Sequence, residues 1–241
     1  MQTYDFCEIN KSGGSNKTEL FFYGDIVSSS WDQWQWEDQY PDNVRYLLRD
    51  IGDGDLDIHI NSAGGNVFAG FTIHNMLKNL KGSKTVYVDG LAASIASVIA
   101  MAGDQIIMPS NSFIMIHKPM VSLMSGNADE LRAEAEVLDK LEQGILSTYM
   151  NNALPDVAEK AVSKMIAAET WLSASEAAEV FKNIVVEQPN EAVAKLDVSS
   201  YKNYRNVPDK LLKTDKREEP DMSSFIEFEK LLNIKYTSEE N

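Results

Sequence analysis

An α/β fold with a largely parallel sheet is predicted for this chain by three features of its sequence. Runs rich in β-branched residues (ELFFYGDIV, LDIHINS, KTVYVDG, QIIMP, SFIMIHKP) alternate with helical stretches between residues 19 and 119. Strands separated by helices pair in parallel, because a parallel connection needs a long crossover. A run of helix formers without proline until Pro155, NADELRAEAEVLDKLEQGILSTYMNNAL, then reads as one long helix. The 241 residues, 44% of them hydrophobic, suffice to bury a sizeable core.

Taken in order, ELFFYGDIV (residues 19–27) reads as a strand closed by a Gly-Asp turn. SSSWDQWQWEDQYPD is a loop leading into a helix over residues 43–49. Trp31, Trp34 and Trp36 in that loop fold over the protein's own core, form a subunit contact, or make a partner-binding patch. LDIHINS is a strand, SAGGN a Gly-rich turn, and NVFAGFTIHNMLKNL a helix with Val67, Phe71, Ile73, Met76, Leu77 and Leu80 near helical spacing. KTVYVDG is a strand, GLAASIASVIAMAG a helix, and QIIMP and SFIMIHKP are strands. A short helix around residues 157–168 and a second at SASEAAEVF follow the long one. VPDKLLKTDKREEPD is charged and weakly patterned, as a linker or disordered segment would be. Ser224 and Glu227 form a capping-box pattern before a short amphipathic stretch, either a terminal helix or a docking peptide.

Composition narrows the function classes. A formal charge of −15 argues against a nucleic-acid backbone as partner. No apolar run approaches the length of a membrane span, and the first residues lack a signal-peptide pattern. Cys7 is the only cysteine, so no internal disulfide can form; a reducing, cytoplasmic compartment fits. No metal-ligand spacing or P-loop is present, so no metal or other cofactor is expected.

With three histidines, the search for a general base is short. His59 lies mid-strand and His74 within an amphipathic helix, where both fit a structural role. His117 ends an apolar strand, the place where α/β sheets build their sites, and suits a functional or a structural role equally. Ser94 and Ser97 interrupt the apolar run GLAASIASVIA, at a cost unless their hydroxyls are paired. A packed helix interface would explain both. Ser94 would alternatively be a nucleophile where a strand turns into a helix, with Ser97 bonded to a helix carbonyl. Gly64 and Gly65 in SAGGN could offer backbone N–H groups to an oxyanion.

Together, INSAGGNVFAG, GLAASIAS, PSNSFIMIHKP and ETWLSASEAAEV resemble the ClpP family of serine peptidases, the proteolytic subunits of Clp proteases. The order is the family's, the 29-residue interval from Gly65 to Ser94 is the family's, and the resemblance covers roughly residues 19–185. It implies a ClpP/crotonase-like fold of stacked βαβ units with a protruding handle helix at about residues 127–150. The peptidase domain would span residues 19–190, between a flexible segment 1–18 and a charged, partly disordered extension 191–241. Ser94 would be the nucleophile, His117 the base, and the N–H groups of Gly65 and Ile95 the oxyanion hole. Gly64, Gly65 and Asn66 would line the place where a substrate peptide adds as a strand. The family's third triad member is an aspartate; Glu169 stands there, one methylene longer, before W-L-S-A. Lys118 follows His117 and would point to the other side of the strand, away from a Ser–Lys role.

The resemblance further implies a homo-oligomer, a heptameric ring or double ring, acting on protein or peptide substrates. ATP dependence would come from a partner AAA+ unfoldase. FFYGDI, the Trp-rich stretch, ETWLSASEA and the charged extension are more like the phage and prophage branch, which processes capsid or scaffold proteins during head maturation. Besides the housekeeping protease subunit, two readings stand against this one: a catalytically silent ring or interaction subunit, and a crotonase-like enzyme acting on acyl-CoA thioesters.

Overall fold

Strand β2 (Lys17–Phe22) starts a sheet that runs β2, β3 (Leu56–Ser62), β4 (Lys84–Ala93), β5 (Gln105–Pro109) and β8 (Ile184–Glu187), each pair parallel. Strand β1 (Cys7–Asn10) adds antiparallel to β2, inside the stretch expected to be a flexible segment. The computed structural model describes residues 7–10, 17–121, 125–188, 204 and 206–208. Met1–Asn206 form one compact unit and Val207–Asn241 a second, of which only Val207 and Pro208 are described. Most of the charged extension, with its capping-box pattern, thus lies outside the described residues.

The crossovers are helices, as the alternation predicts: α1 (Pro41–Ile51), α2 (Val67–Lys78) and α3 (Ile95–Ala100). Pro41 opens α1, where its missing N–H is no loss, and Asn66 caps α2 by accepting the Ala69 N–H at 2.9 Å. Ile58 and Ile60 of β3, Val86 and Val88 of β4, Ile73 and Leu77 of α2, and Val98 and Ile99 of α3 are fully buried in one core. The long helix is α4 (Ala128–Asn152), started by a capping box between Asn127 and Glu130. Its buried residues, Ile145, Leu146, Tyr149 and Asn152, all fall in its C-terminal third, so its N-terminal part stands clear of the core. Among the described residues no helix is long and apolar enough to cross a membrane.

The structure corrects the sequence reading at β4. GLAASIASVIAMAG was expected to be helical from Gly90, yet the strand continues through Ala93. Strand β6 (Phe113–Ile116) is the reason: Leu91, Ala92 and Ala93 pair in parallel with Phe113, Ile114 and Met115. The first half of β4 pairs with β5 instead, over Thr85–Tyr87, so the sheet forks along this one strand. Small residues suit a strand enclosed on both faces, and tertiary pairing outweighs their helical propensity.

Three strands went unassigned in the sequence: β1, β8 and β7 (Thr170–Ser173), which pairs antiparallel with β6. Helices α5 (Glu159–Ala167) and α6 (Ala174–Val180) flank β7 near their predicted places. The Trp-rich loop differs from one of its predicted alternatives: Trp31 and Trp34 are each 94% exposed, so neither folds over the protein's own core.

Candidate active site

Every residue from Leu91 to Ala100 is buried except Ser94, which reaches the surface at the turn between β4 and α3. Its backbone has φ 53° and ψ −127°, a region that costs a residue with a Cβ about 1–3 kcal/mol. Three contacts hold it there. Its N–H donates to the Met115 carbonyl of β6 at 2.9 Å, and its carbonyl accepts from Ser97 N–H at 3.1 Å and Ser97 Oγ at 2.5 Å. Since the only hydroxyl proton of Ser97 goes to Ser94, the buried Tyr149 of α4 donates its own to Ser97 Oγ, at 2.8 Å. Ser97 therefore has the structural role read for it, and the long helix anchors the turn.

His117 follows the last residue of β6, and its Nε2 lies 2.7 Å from Ser94 Oγ. Burial holds the imidazole below its ordinary pKa, and the Glu169 carboxylate opposes that shift. The β6–β7 register explains why Glu169 is near. Ile116 pairs with Thr170, so one step further places His117 opposite Glu169. Glu169 also has positive φ, 52°, and among the described residues only Ser94 shares this without being glycine. A hydroxyl and an imidazole in contact, and a carboxylate whose charge acts on that imidazole, thus stand at three strand ends, two of them on strained backbone. Such strain, where observed, marks functional positions.

The Gly-rich turn lies against the same place. A Cβ on Gly64, at φ +101°, would stand 2.8 Å from Ser94 Cβ and 2.8 Å from the Ala93 carbonyl oxygen. The Gly64 N–H is held by Ser62 Oγ at 3.1 Å. Ile26 N–H donates to the Gly64 carbonyl at 2.8 Å and Asn66 N–H to the Ile26 carbonyl at 2.6 Å. These bonds straddle Gly65, so its own N–H and carbonyl face the opposite edge. The Asn66 side chain is the cap of α2.

A residue missed in the sequence fixes this turn from behind. The buried carboxylate of Asp38 accepts the N–H groups of Asp25, Trp34 and Gln35, each at 3.0 Å. Gln39 N–H then donates to the Asp25 carbonyl and Val27 N–H to the Gln39 carbonyl, both at 2.9 Å, which sets Ile26 against Gly65. Asp38 looked like one acid among several in WDQWQWEDQY, and only its burial distinguishes it.

The remaining candidates lie elsewhere. His59 stacks between Phe21 and Tyr87 at 4.9 and 4.8 Å and bonds Asp89 through Nδ1 at 2.9 Å. His74 is buried in α2, and burial lowers its pKa. Lys118 points away from Ser94 and pairs with Glu142 of α4 at 2.8 Å. Among the described residues no three His, Cys, Asp or Glu side chains cluster as a metal site would need.

Residues 29–181 match the family described as Clp protease, more than half of the chain. The chain belongs to the Clp protease family. It is 36% identical over 124 residues to the "ATP-dependent Clp protease proteolytic subunit 1" of Protochlamydia amoebophila (strain UWE25), covering 50% of this chain and 59% of that protein. The protein of the same name from Chlamydia pneumoniae is 36% identical over 124 residues, 49% of this chain and 62% of its own length. The "ATP-dependent Clp protease proteolytic subunit" of Chara vulgaris is 35% identical over 111 residues, 45% and 50% of the two chains. The chain thus spans between half and about three fifths of the length of these Clp protease relatives.

Proposed function

We propose that this Clp protease family member is a serine endopeptidase with Ser94 as nucleophile, His117 as general base and Glu169 as orienting acid. The observation that carries this reading is the 2.7 Å contact between His117 Nε2 and Ser94 Oγ, at a strand-to-helix turn on strained backbone. In this mechanism His117 takes the Ser94 proton as the oxygen attacks the substrate carbonyl. With Nε2 engaged by Ser94, Nδ1 is the nitrogen left for Glu169, whose charge stabilises the imidazolium. The lowered pKa of His117 keeps it unprotonated, and ready as a base, at neutral pH. The oxyanion is held by the N–H of Gly65, which faces away from Ile26, and by that of Ile95 at the start of α3. His117 then returns its proton to the leaving amine, and water releases the acyl group by the same steps. No cofactor takes part.

The substrates in this reading are unfolded proteins or peptides that enter beside the Gly-rich turn as an added strand. The relatives' names, ATP-dependent Clp protease proteolytic subunits, support a subunit that receives protein from an ATP-driven partner, and the family resemblance adds the ring and the cytoplasmic setting. Capsid or scaffold processing during phage head maturation is the second setting; it rests on the FFYGDI opening and the Trp-rich loop, which projects freely from the fold.

Intact-mass analysis after treatment with a fluorophosphonate tests the chemistry. One adduct on the wild type and none on Ser94→Ala is the expected result. An adduct that persists in Ser94→Ala would remove Ser94 from its role. Turnover of a folded substrate without any ATPase separates the two settings, since only head maturation would proceed.

A further inference from the structure

The mechanism leaves one side chain in the cleft without a part to play. Tyr204 lies beyond β8 in the chain, yet its ring meets the His117 imidazole edge-on, with centroids 5.2 Å apart, and Trp171 edge-on at 6.0 Å. Its hydroxyl donates to the Ala63 carbonyl on the Gly-rich turn at 2.6 Å. Two residues on, the Asn206 N–H donates to Glu169 Oε1 at 2.8 Å, and Asn206 Nδ2 to the Ala168 carbonyl at 2.8 Å. One stretch of chain therefore touches the imidazole, the carboxylate and the Gly-rich turn together.

These contacts match what a bound peptide would make. A reacting carbonyl has to come within about 3–3.5 Å of the attacking oxygen, and the Tyr204 ring stands edge-on against the imidazole bonded to that oxygen. The Ala63 carbonyl, an acceptor on the edge where a strand would add, is taken by the same hydroxyl. Burial raises the phenol's pKa to about 12, so it remains a neutral donor wherever His117 acts as a base.

We propose that the cleft beside Ser94 contains an aromatic-accepting subsite walled by His117 and Trp171, and that Tyr204 of the same chain fills it in competition with substrate. The proposal rests on the roles given to Ser94, His117 and Glu169 above. Its consequence is a peptidase held down by its own extension and opened when a substrate or partner displaces Tyr204. The subsite itself favours peptides with tyrosine or phenylalanine beside the scissile bond.

The rate of fluorophosphonate adduct formation on the full-length chain tests this, with Ser94→Ala as the blank. An occupant that closes nine-tenths of molecules lowers the rate about tenfold, so Tyr204→Ala is expected to label at least about tenfold faster than wild type. Tyr204→Phe keeps the ring and loses the hydroxyl's bond to Ala63, and should fall between the two. An N-acetyl-tyrosine amide should protect Tyr204→Ala from labelling at lower concentration than the leucine amide does. Equal labelling of wild type and Tyr204→Ala would overturn the occupancy, and equal protection by the two amides would overturn the aromatic subsite. If Tyr204→Ala does not fold, the comparison of Tyr204→Phe with wild type decides, since an unchanged rate there refutes a holding role for the Tyr204 hydroxyl. If no protein forms an adduct, the serine mechanism falls first, and this proposal with it.

Discussion

Replacing Ser97 with alanine should damage the protein more than removing the tyrosine hydroxyl that Ser97 meets, although both changes break the same hydrogen bond. In Tyr149→Phe, Ser97 loses one donor but keeps its bond to the Ser94 carbonyl, so the cost is one net hydrogen bond, about 0.5–1.5 kcal/mol. In Ser97→Ala the bond to Ser94 goes as well, and the hydroxyl of Tyr149, which is 1% exposed, is left without its acceptor. An orphaned buried donor adds about 1–3 kcal/mol, so the whole comes to roughly 2–4 kcal/mol. At about 2–4 °C per kcal/mol for a chain of this size, Ser97→Ala should lower Tm by about 4–16 °C. The double variant removes donor and acceptor together and should be no less stable than Ser97→Ala alone, a coupling of about 1–2 kcal/mol. Thermal melts of the four proteins at one concentration would measure this. If Ser97→Ala costs no more than Tyr149→Phe, or the two effects simply add, then the network does not hold the Ser94 turn as described.

Glu169→Gln should lower kcat about 10²–10⁴-fold, since the amide orients the imidazole without stabilising its cation. The same change bears on pH. Glu169 works against the burial that depresses His117, so its removal lowers that pKa further, and the acid limb of kcat/KM should move to lower pH than in wild type. A limb that moves upward would reverse the assigned sign. Gly64→Ala places a methyl 2.8 Å from Ser94 Cβ at φ +101°, costing about 2–5 kcal/mol in strain and overpacking. If the nucleophile shifts by about 1 Å, turnover should fall about 100-fold, read by melting and kinetics together. Lys118→Ala breaks only a partly exposed ion pair with Glu142 and should leave turnover within about twofold; a large loss would reopen the Ser–Lys reading.

Strand and helix order was legible wherever a pattern was carried by the local sequence. LDIHINS and KTVYVDG are rich in β-branched residues, and the spacing of Val67, Phe71, Ile73 and Leu77 announces α2. GLAA was misread because small apolar residues suit a helix or an enclosed strand equally, and the partner that decides, β6, lies 22 residues further along the chain. The Ser94–His117 pair was visible through its motifs. The reason Glu169 stands near His117 was not, because TWLS is too short to declare itself a strand and the β6–β7 register is a matter of pairing. Tyr204 gave no signal at all. A tyrosine in a polar, unpatterned stretch announces no role, and its place in the cleft is set wholly by tertiary contact.

Asp38 has a bearing on how this surface could diverge. One carboxylate gathers three main-chain N–H groups at the root of the Trp-rich loop, and none of these bonds depends on which side chains the loop carries. The tip is thereby decoupled from the Gly-rich turn that Ile26 holds. Trp31 and Trp34 could be exchanged in a library, or drift between lineages, while Ile26 kept the Gly-rich turn in place. The loop behaves as a replaceable cassette, and the position that selection has to guard is the modest acid at its hinge.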